Sequence, residues 1–406
     1  MRHCETKRYK MRQTGIKSKS YNPFTPRFGK IPPEFVGDSF QEIFDEFSYS
    51  LDETEDGIGN CYMRISGQRG MGKTATIAEL SRMALERGIK VIRTYSLDGF
   101  TKTIIDDISD DTVIRKTINP HIDIATPAGP SVSIGGFSVE KEIRKRSSTL
   151  DAAFLEYFHH GGKDLLVVID EVQDRSGDID IDALGMSIQT LETTCPGSHV
   201  GVVFAGLPMP ILDMSDIGKD KRATFLTRSD RYELSLSSDR QVAAMYRRAF
   251  SSGGKQIGKR QIEKMAHASG GYPYMMQCIG FEVWKASGDT VTENDVERGI
   301  YLGERRFFEN VIMKIVGDMS DMEIMLLMAL PDTELPIRLS SALSGSDMPR
   351  SSVSRARSAL VKKGVLSIPK RGYVSCDIAY LIRYMKKYGG TLLSHRDSIS
   401  NPATSL

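Results

Sequence analysis

Gly67-Gln-Arg-Gly-Met-Gly-Lys-Thr74 is the stretch that decides the fold of this chain. Before it, Cys61-Tyr-Met-Arg-Ile-Ser66 reads as a short strand. After it, Ala75 to Arg87 reads as a helix that Gly88 can end. A strand, a glycine-rich turn and a helix bring backbone N–H groups and a helix N-terminus onto one anion. Gly67, Gln68, Arg69, Gly70, Met71, Gly72, Lys73, Thr74 and Ala75 are the expected cradle. In such a loop the glycines let the backbone approach phosphates. Lys73 would reach the outer phosphates, and the Thr74 hydroxyl would ligate Mg2+. The loop and its flanks imply nucleoside triphosphate chemistry.

A second motif supports the first. Leu165-Leu-Val-Val-Ile-Asp-Glu171 begins with five apolar residues, as a strand buried on both faces does. Two carboxylates follow at its C-terminal end, where open α/β sheets bind ligands. Asp170 is placed to hold the magnesium shell. Glu171, adjacent but pointing elsewhere, is placed to polarise a water as general base.

The chain has 406 residues, enough for two or three domains. Its 40% hydrophobic and 26% charged residues fit a soluble globular class. No apolar stretch approaches the ~20 residues of a membrane span. The five cysteines lack paired spacing, which fits a reducing cytoplasm and argues against a metal cluster or disulfide framework.

Periodicity divides the chain. Residues 1–22 carry seven basic residues against Glu5 alone and read as a disordered basic arm. Residues 23–237 alternate strands and helices, the pattern of a parallel sheet covered on both faces. They open with a helix from Gln41 to Leu51. They include a hairpin at about 125–140, suggested by alternating Val132, Ile134, Phe137 and Val139. Residues 238–317 read as a helical lid, punctuated by Gly270-Gly-Tyr-Pro273.

Residues 318–390 read as a winged helix-turn-helix domain. A capping box, Ser320-Asp-Met-Glu323, opens its first helix. Ile337 to Leu343 reads as the second helix and Ser352 to Lys363 as the third, followed by a hairpin. Residues 391–406 read as a flexible tail. The fold class is thus α/β: a phosphate-loop parallel sheet with a helical lid and a C-terminal winged helix.

Net charge is only +2, yet residues 348–390 hold ten basic residues and one acid. In the third helix Val353, Ala356 and Leu360 share one face. Ser351, Arg355, Ser358 and Lys362 share another, and Arg350 precedes them. That polar face suits a major groove, and Lys370 and Arg371 at the hairpin tip suit the flanking backbone. Double-stranded DNA is the expected partner. A protein-binding winged helix is the alternative, because charge alone gives phosphate affinity without sequence preference.

These motifs, in this order, resemble ATPases of the AAA+ superfamily, near the origin-recognition-like and archaeal-ATPase branch that borders the STAND signalling ATPases. Asn22-Pro-Phe-Thr-Pro26, Phe204-Ala-Gly-Leu-Pro208 and Gly271-Tyr-Pro273 carry the resemblance with the phosphate loop, over about residues 22–390. The resemblance implies ATP as the nucleotide. It places Pro273 near the adenine, and Val36 and Gly37 against the base edge. Three positions depart from the pattern. Asp38 stands where relatives usually carry arginine, Ala205-Gly206 offers no polar sensor side chain, and Gly-Gly-Tyr-Pro holds no arginine. Arginine fingers act between subunits in this superfamily. Arg228 and Arg231, before the last expected strand, are the candidates, and they imply a homo-oligomer. The expected function is an Mg-dependent, ATP-hydrolysing switch on DNA. The alternative is a STAND-like signalling ATPase or a nucleotide-binding scaffold with a protein partner.

Overall fold

The structure is a computed structural model. It describes residues 21–27, 31–56, 61–95, 99–111, 113–118, 123–124, 132–133, 139–144, 149–172, 178–208, 228–331, 335–376, 378 and 380–400. The basic arm expected over residues 1–22 lies outside these except for Tyr21 and Asn22, as do residues 401–406 of the expected tail.

Five parallel strands form the central sheet: β1 (Tyr62–Ser66), β2 (Lys90–Thr94), β7 (Leu165–Ile169), β8 (Val200–Gly206) and β9 (Asp230–Glu233). Their spatial order is β2-β7-β8-β1-β9. Alternation along β7 explains why all five of its residues are buried. Leu166 and Val168 enter one apolar core, while Leu165, Val167 and Ile169 enter the other. Helices α1 (Asp38–Glu55) and α2 (Lys73–Glu86) cover the first face. Helices α3 (Phe100–Asp111), α4 (Leu150–His159) and α5 (Asp178–Thr194) cover the second. Helix α1 extends beyond the Gln41–Leu51 expected, because Phe40 and Thr54 are also buried.

Because the strands are parallel, Ser66, Thr94, Ile169, Gly206 and Glu233 all end at one edge of the sheet. Between α3 and α4 the chain forms a ribbon. Strands β3 (Val113–Ile118) and β6 (Val139–Arg144) pair antiparallel, and β4 (Asp123–Ile124) pairs with β5 (Val132–Ser133). The hairpin expected at about 125–140 is therefore the end of a longer one. Val132 pairs with Ile124 and Val139 with Ile118. The paired residues Val113–Ile118 and Val139–Arg144 are of mixed charge and carry no turn-forming composition. Ile134 and Phe137 fall outside the described residues.

Four helices follow: α6 (Asp239–Ser252), α7 (Lys259–Ser269), α8 (Pro273–Ala286) and α9 (Glu293–Phe307). Capping boxes at Ser238/Gln241 and Thr292/Asp295 start α6 and α9 by satisfying otherwise orphaned N–H groups. A single π-helical turn, Phe308–Ile312, then leads into α10 (Met313–Gly317).

The C-terminal region comprises α11 (Asp321–Ala329), β10 (Ile337–Arg338), α12 (Leu339–Ala342), α13 (Arg350–Lys362), β11 (Leu366–Ser367), β12 (Tyr373–Cys376) and α14 (Leu381–Ser400). The capping box at Ser320/Glu323 is present. Ile337 and Arg338, expected at the start of a helix, instead pair with β12 and make a sheet of order β10-β12-β11. Pairing with Val374 and Tyr373 overrides the local helical pattern there. Helix α14 runs past residue 390, where a flexible tail was expected, because Leu392 and Leu393 pack onto the core.

An N-terminal strap joins distant parts of the chain. Phe24 is 2% exposed and packs against Tyr246, Phe250 and Trp284, with ring centroids 5.7, 5.6 and 6.4 Å away. Asn22 Nδ2 donates to the Phe281 carbonyl at 3.1 Å, and Gln277 Oε1 accepts from Thr25 N at 2.9 Å. Emptying that box by Phe24→Ala is expected to cost about 3–5 kcal/mol in urea denaturation. A loss near zero would mean that the strap is not held in solution.

Candidate functional site

The loop between β1 and α2 takes its shape from Gly70 (φ +83°) and Gly72 (φ +95°). An L side chain would cost about 1–2 kcal/mol at each of these left-handed positions. Lys73 opens α2 and is buried. Its Nζ turns back to donate to the carbonyls of Gly67 at 2.8 Å and Gln68 at 3.1 Å. Burial pushes the Lys73 pKa down to about 8, with Glu171 and Asp170 opposing the shift.

Thr74 and Asp170 meet across the sheet edge. The Thr74 hydroxyl donates to Asp170 Oδ2 at 3.0 Å. Asp170 is buried, which raises its carboxyl above the usual range, while the Thr74 hydrogen bond works the other way. The Glu171 N–H donates to Asp170 Oδ1 at 3.0 Å. Glu171 itself has φ +58°, a strained conformation for a residue with a side chain, and it is exposed. A hydroxyl and a carboxylate are hard oxygen donors of the kind magnesium takes, so Thr74 and Asp170 fit that ion. Among the described residues no group of three or more His, Cys, Asp or Glu side chains forms a separate metal site.

The expected base-edge residues come to the same place. Ser237 Oγ donates to the Val36 carbonyl at 2.7 Å, and Ser237 N donates to the Gly271 carbonyl at 3.0 Å. A Cβ on Gly271 (φ +71°) would lie 1.9 Å from the Ser237 carbonyl oxygen, so only glycine fits. Pro273 is the first residue of α8, where its missing N–H costs nothing. Tyr274 N donates to the Gly70 carbonyl at 3.2 Å, which sets the start of α8 on the loop. Met71 is buried beneath the loop, and Ala75 lies in the first turn of α2. Asp38 accepts from Gln241 Nε2 at 2.7 Å and so ties α1 to α6.

Arg228 and Arg231 are exposed and belong elsewhere. Arg231 stands opposite Arg64 in β1, and Glu233 opposite Ser66. Arg228 precedes the start of β9 at Asp230.

The basic candidates form a separate group. Arg350, Ser351, Arg355, Ser358 and Lys362 are all exposed on α13. Lys370 and Arg371 are exposed between β11 and β12, with Lys370 Nζ 3.9 Å from the Tyr373 ring centroid. Lys363, counted with the basic surface, has another role. It binds the buried Glu323 at 2.8 Å and the Asp318 carbonyl at 2.6 Å, joining α13 to the start of α11.

Three contacting residues escaped the sequence reading. Ser237 precedes a readable capping serine but carries no signal of its own. Tyr272 lies inside the quoted Gly-Gly-Tyr-Pro run, where attention fell on the proline; its hydroxyl donates to the Arg69 carbonyl. Gly364 follows α13 with φ +66°, and a Cβ there would lie 3.4 Å from Gln68 Oε1 and 3.7 Å from Leu207 Cβ. The C-terminal region therefore packs directly on the phosphate loop.

No family model and no curated protein matches the chain. Solved structures do. The Aeropyrum pernix ORC2 protein, in ADPNP–ADP complexes, is 12% identical with a TM-score of 0.55, over 92% of this chain and 98% of its own. A Walker-type ATPase of Pyrococcus abyssi is also 12% identical with a TM-score of 0.55, over 84% of this chain and 95% of its own. Across nearly the whole length, this chain shares the parallel-sheet, phosphate-loop α/β fold of those proteins.

Proposed function

We propose that the chain is an AAA+ type ATPase that binds ATP with Mg2+, hydrolyses it, and uses the cycle to act on double-stranded DNA. One observation carries the nucleotide half: Lys73 closes a glycine-rich loop while Thr74 meets Asp170 at 3.0 Å. Together these groups supply a cation for phosphate oxygens and an oxygen pair for magnesium. Gly67 to Ala75 cradle the phosphates, and Val36, Gly37 and Pro273 border the base. The likeness to a protein seen with ADPNP and ADP supports an adenine nucleotide. Magnesium, when bound, would neutralise phosphate charge. Thr74 and Asp170 would hold it. Glu171, exposed beside the buried Asp170, would accept the proton of a water.

The DNA half rests on charge. Residues 348–390 contain ten basic residues and one acid, and the exposed face of α13 carries Arg350, Ser351, Arg355, Ser358 and Lys362. We read α11, α12, α13 and the β11–β12 hairpin as a winged helix with Lys370 and Arg371 at its wing. In a homo-oligomer, Arg228 and Arg231, both exposed, would serve a neighbour's site. The pattern of cysteine use supports a cytoplasmic setting, and among the described residues no helix is long and apolar enough to cross a membrane.

The contact of Gly364 with Gln68 favours a second reading, a STAND-like signalling ATPase. There the C-terminal domain would hold the nucleotide site closed and meet a protein instead of DNA.

ATPase turnover with and without duplex DNA, at two salt concentrations, separates the two. Stimulation that fades with salt is the expected result, because phosphate contacts release counterions. Turnover indifferent to DNA supports the second reading, and failure to bind ATP overturns both. Glu171→Gln is expected to retain ATP binding and lose about 100-fold or more in turnover. Unchanged turnover rejects Glu171 as the base.

Lys73 gives a pH prediction. Burial holds its pKa down at about 8. A triphosphate favours the charged lysine and raises that value, so binding takes up a proton wherever the free lysine is neutral. Affinity should therefore fall as pH rises above about 8. Calorimetry in two buffers of different ionisation enthalpy, at a pH above that value, should show net proton uptake. Lys73→Met should abolish it.

A further inference from the structure

Tyr272 is fully buried where three parts of the chain meet. Its hydroxyl donates to the Arg69 carbonyl in the phosphate loop, and its Cε1 would lie 2.9 Å from a Cβ on Gly70. Its ring meets Phe307 edge-on, with centroids 5.2 Å apart at 86°. Phe307 in turn meets Tyr380 at 6.0 Å and 65°. Tyr380 stands just before α14, with φ +68°, and its hydroxyl donates to the Ala268 carbonyl at the end of α7. Phe307 is also the last residue before the π-helical turn Phe308–Ile312 that leads to the C-terminal region. Such turns are frequent at functional sites.

We propose that Tyr272 is a positioning residue of the phosphate loop, and that Tyr272, Phe307 and Tyr380 transmit occupancy of that loop to the C-terminal domain. The inference rests on the nucleotide half of the reading above and not on the DNA half. Lys73 Nζ gives two of its three N–H donors to the carbonyls of Gly67 and Gln68, which leaves one for phosphate. A phosphate held by that donor and by the loop N–H groups shifts the loop. The next carbonyl, Arg69, moves with the loop. A buried phenol cannot lose its partner without a desolvation penalty, so Tyr272 follows. Its ring is rigid and close-packed, so its displacement shifts Phe307 against Tyr380. The strained Tyr380 and the π-turn are two irregular points of the backbone along this path.

The test is hydrogen–deuterium exchange of the full chain with and without magnesium ADPNP, read over residues 373–388. Nucleotide affinity is measured first. In the unaltered chain, nucleotide is expected to change exchange over 373–388. Tyr272→Phe keeps the ring and removes only the hydroxyl. It should bind ADPNP more weakly, by roughly tenfold, because a buried loop carbonyl loses its donor, so exchange is compared at saturating nucleotide. It should nonetheless lose most of the nucleotide-dependent change. Phe307→Leu should lose it too, with the Tyr272 hydroxyl in place. A full nucleotide-dependent change in Tyr272→Phe overturns the proposal. So does exchange raised equally with and without nucleotide, since that marks a purely structural tyrosine. If the parent chain fails to bind ADPNP, the nucleotide reading itself falls, and the binding arm reveals this before any exchange is measured.

Discussion

A loop that turns its N–H groups inward to meet an anion must turn its carbonyls outward, and those carbonyls need donors. The neighbourhood of the phosphate loop is organised by that requirement. The Gly67 and Gln68 carbonyls each accept from Lys73, and Gln68 accepts from the Met71 N–H as well. Arg69 takes one from Tyr272, Gly70 from Tyr274, and Gly72 from Thr76. Two of these donors come from residues some two hundred positions later in the chain. The helical region is therefore more than a cover. It completes the hydrogen bonding of a turn that cannot complete its own.

Burial of Lys73 follows from the same geometry. A lysine enclosed by backbone carbonyls and apolar walls loses hydration, and the nearby carboxylates Asp170 and Glu171 return only part of it. Asp170 is in the mirror situation, a buried acid held by Thr74 and by the next N–H along the chain. Burial leaves both charges poorly solvated. A ligand carrying phosphate and a divalent cation would complement both together. The arrangement is preorganised for ligand at some expense to the unliganded fold, as a binding site requires.

Much of this was legible in the sequence wherever local chemistry and tertiary role coincide. The loop glycines, the five apolar residues before Asp170 and the capping box at Ser320 each need one residue type for a local reason. What stayed hidden depends on partners distant in sequence. Ile337 and Arg338 look helical in isolation and become a strand because Val374 and Tyr373 offer a ladder. Lys363 looks like surface charge and instead neutralises the buried Glu323. Leu392 and Leu393 sit among polar residues, so no periodicity marked them as packing positions. At the candidate site, Gly67 to Thr74, Asp170 and Glu171 were readable as motifs. Ser237 and Tyr272 were not, since a single serine or tyrosine has no pattern until its neighbour in space is known.

The docked Phe24 bears on how such a chain can be divided. Residues 22–25 come first in sequence, yet in space they belong to the helices that begin at Asp239, where Phe24 fills a box made by Tyr246, Phe250 and Trp284. Recombination that moved residues 239–317 as a cassette would leave an aromatic cavity open and its plug behind. The inheritable unit is thus discontinuous. The helical region and the strap must be exchanged together or kept together, and a cut made between them yields two fragments that each lack part of the same core.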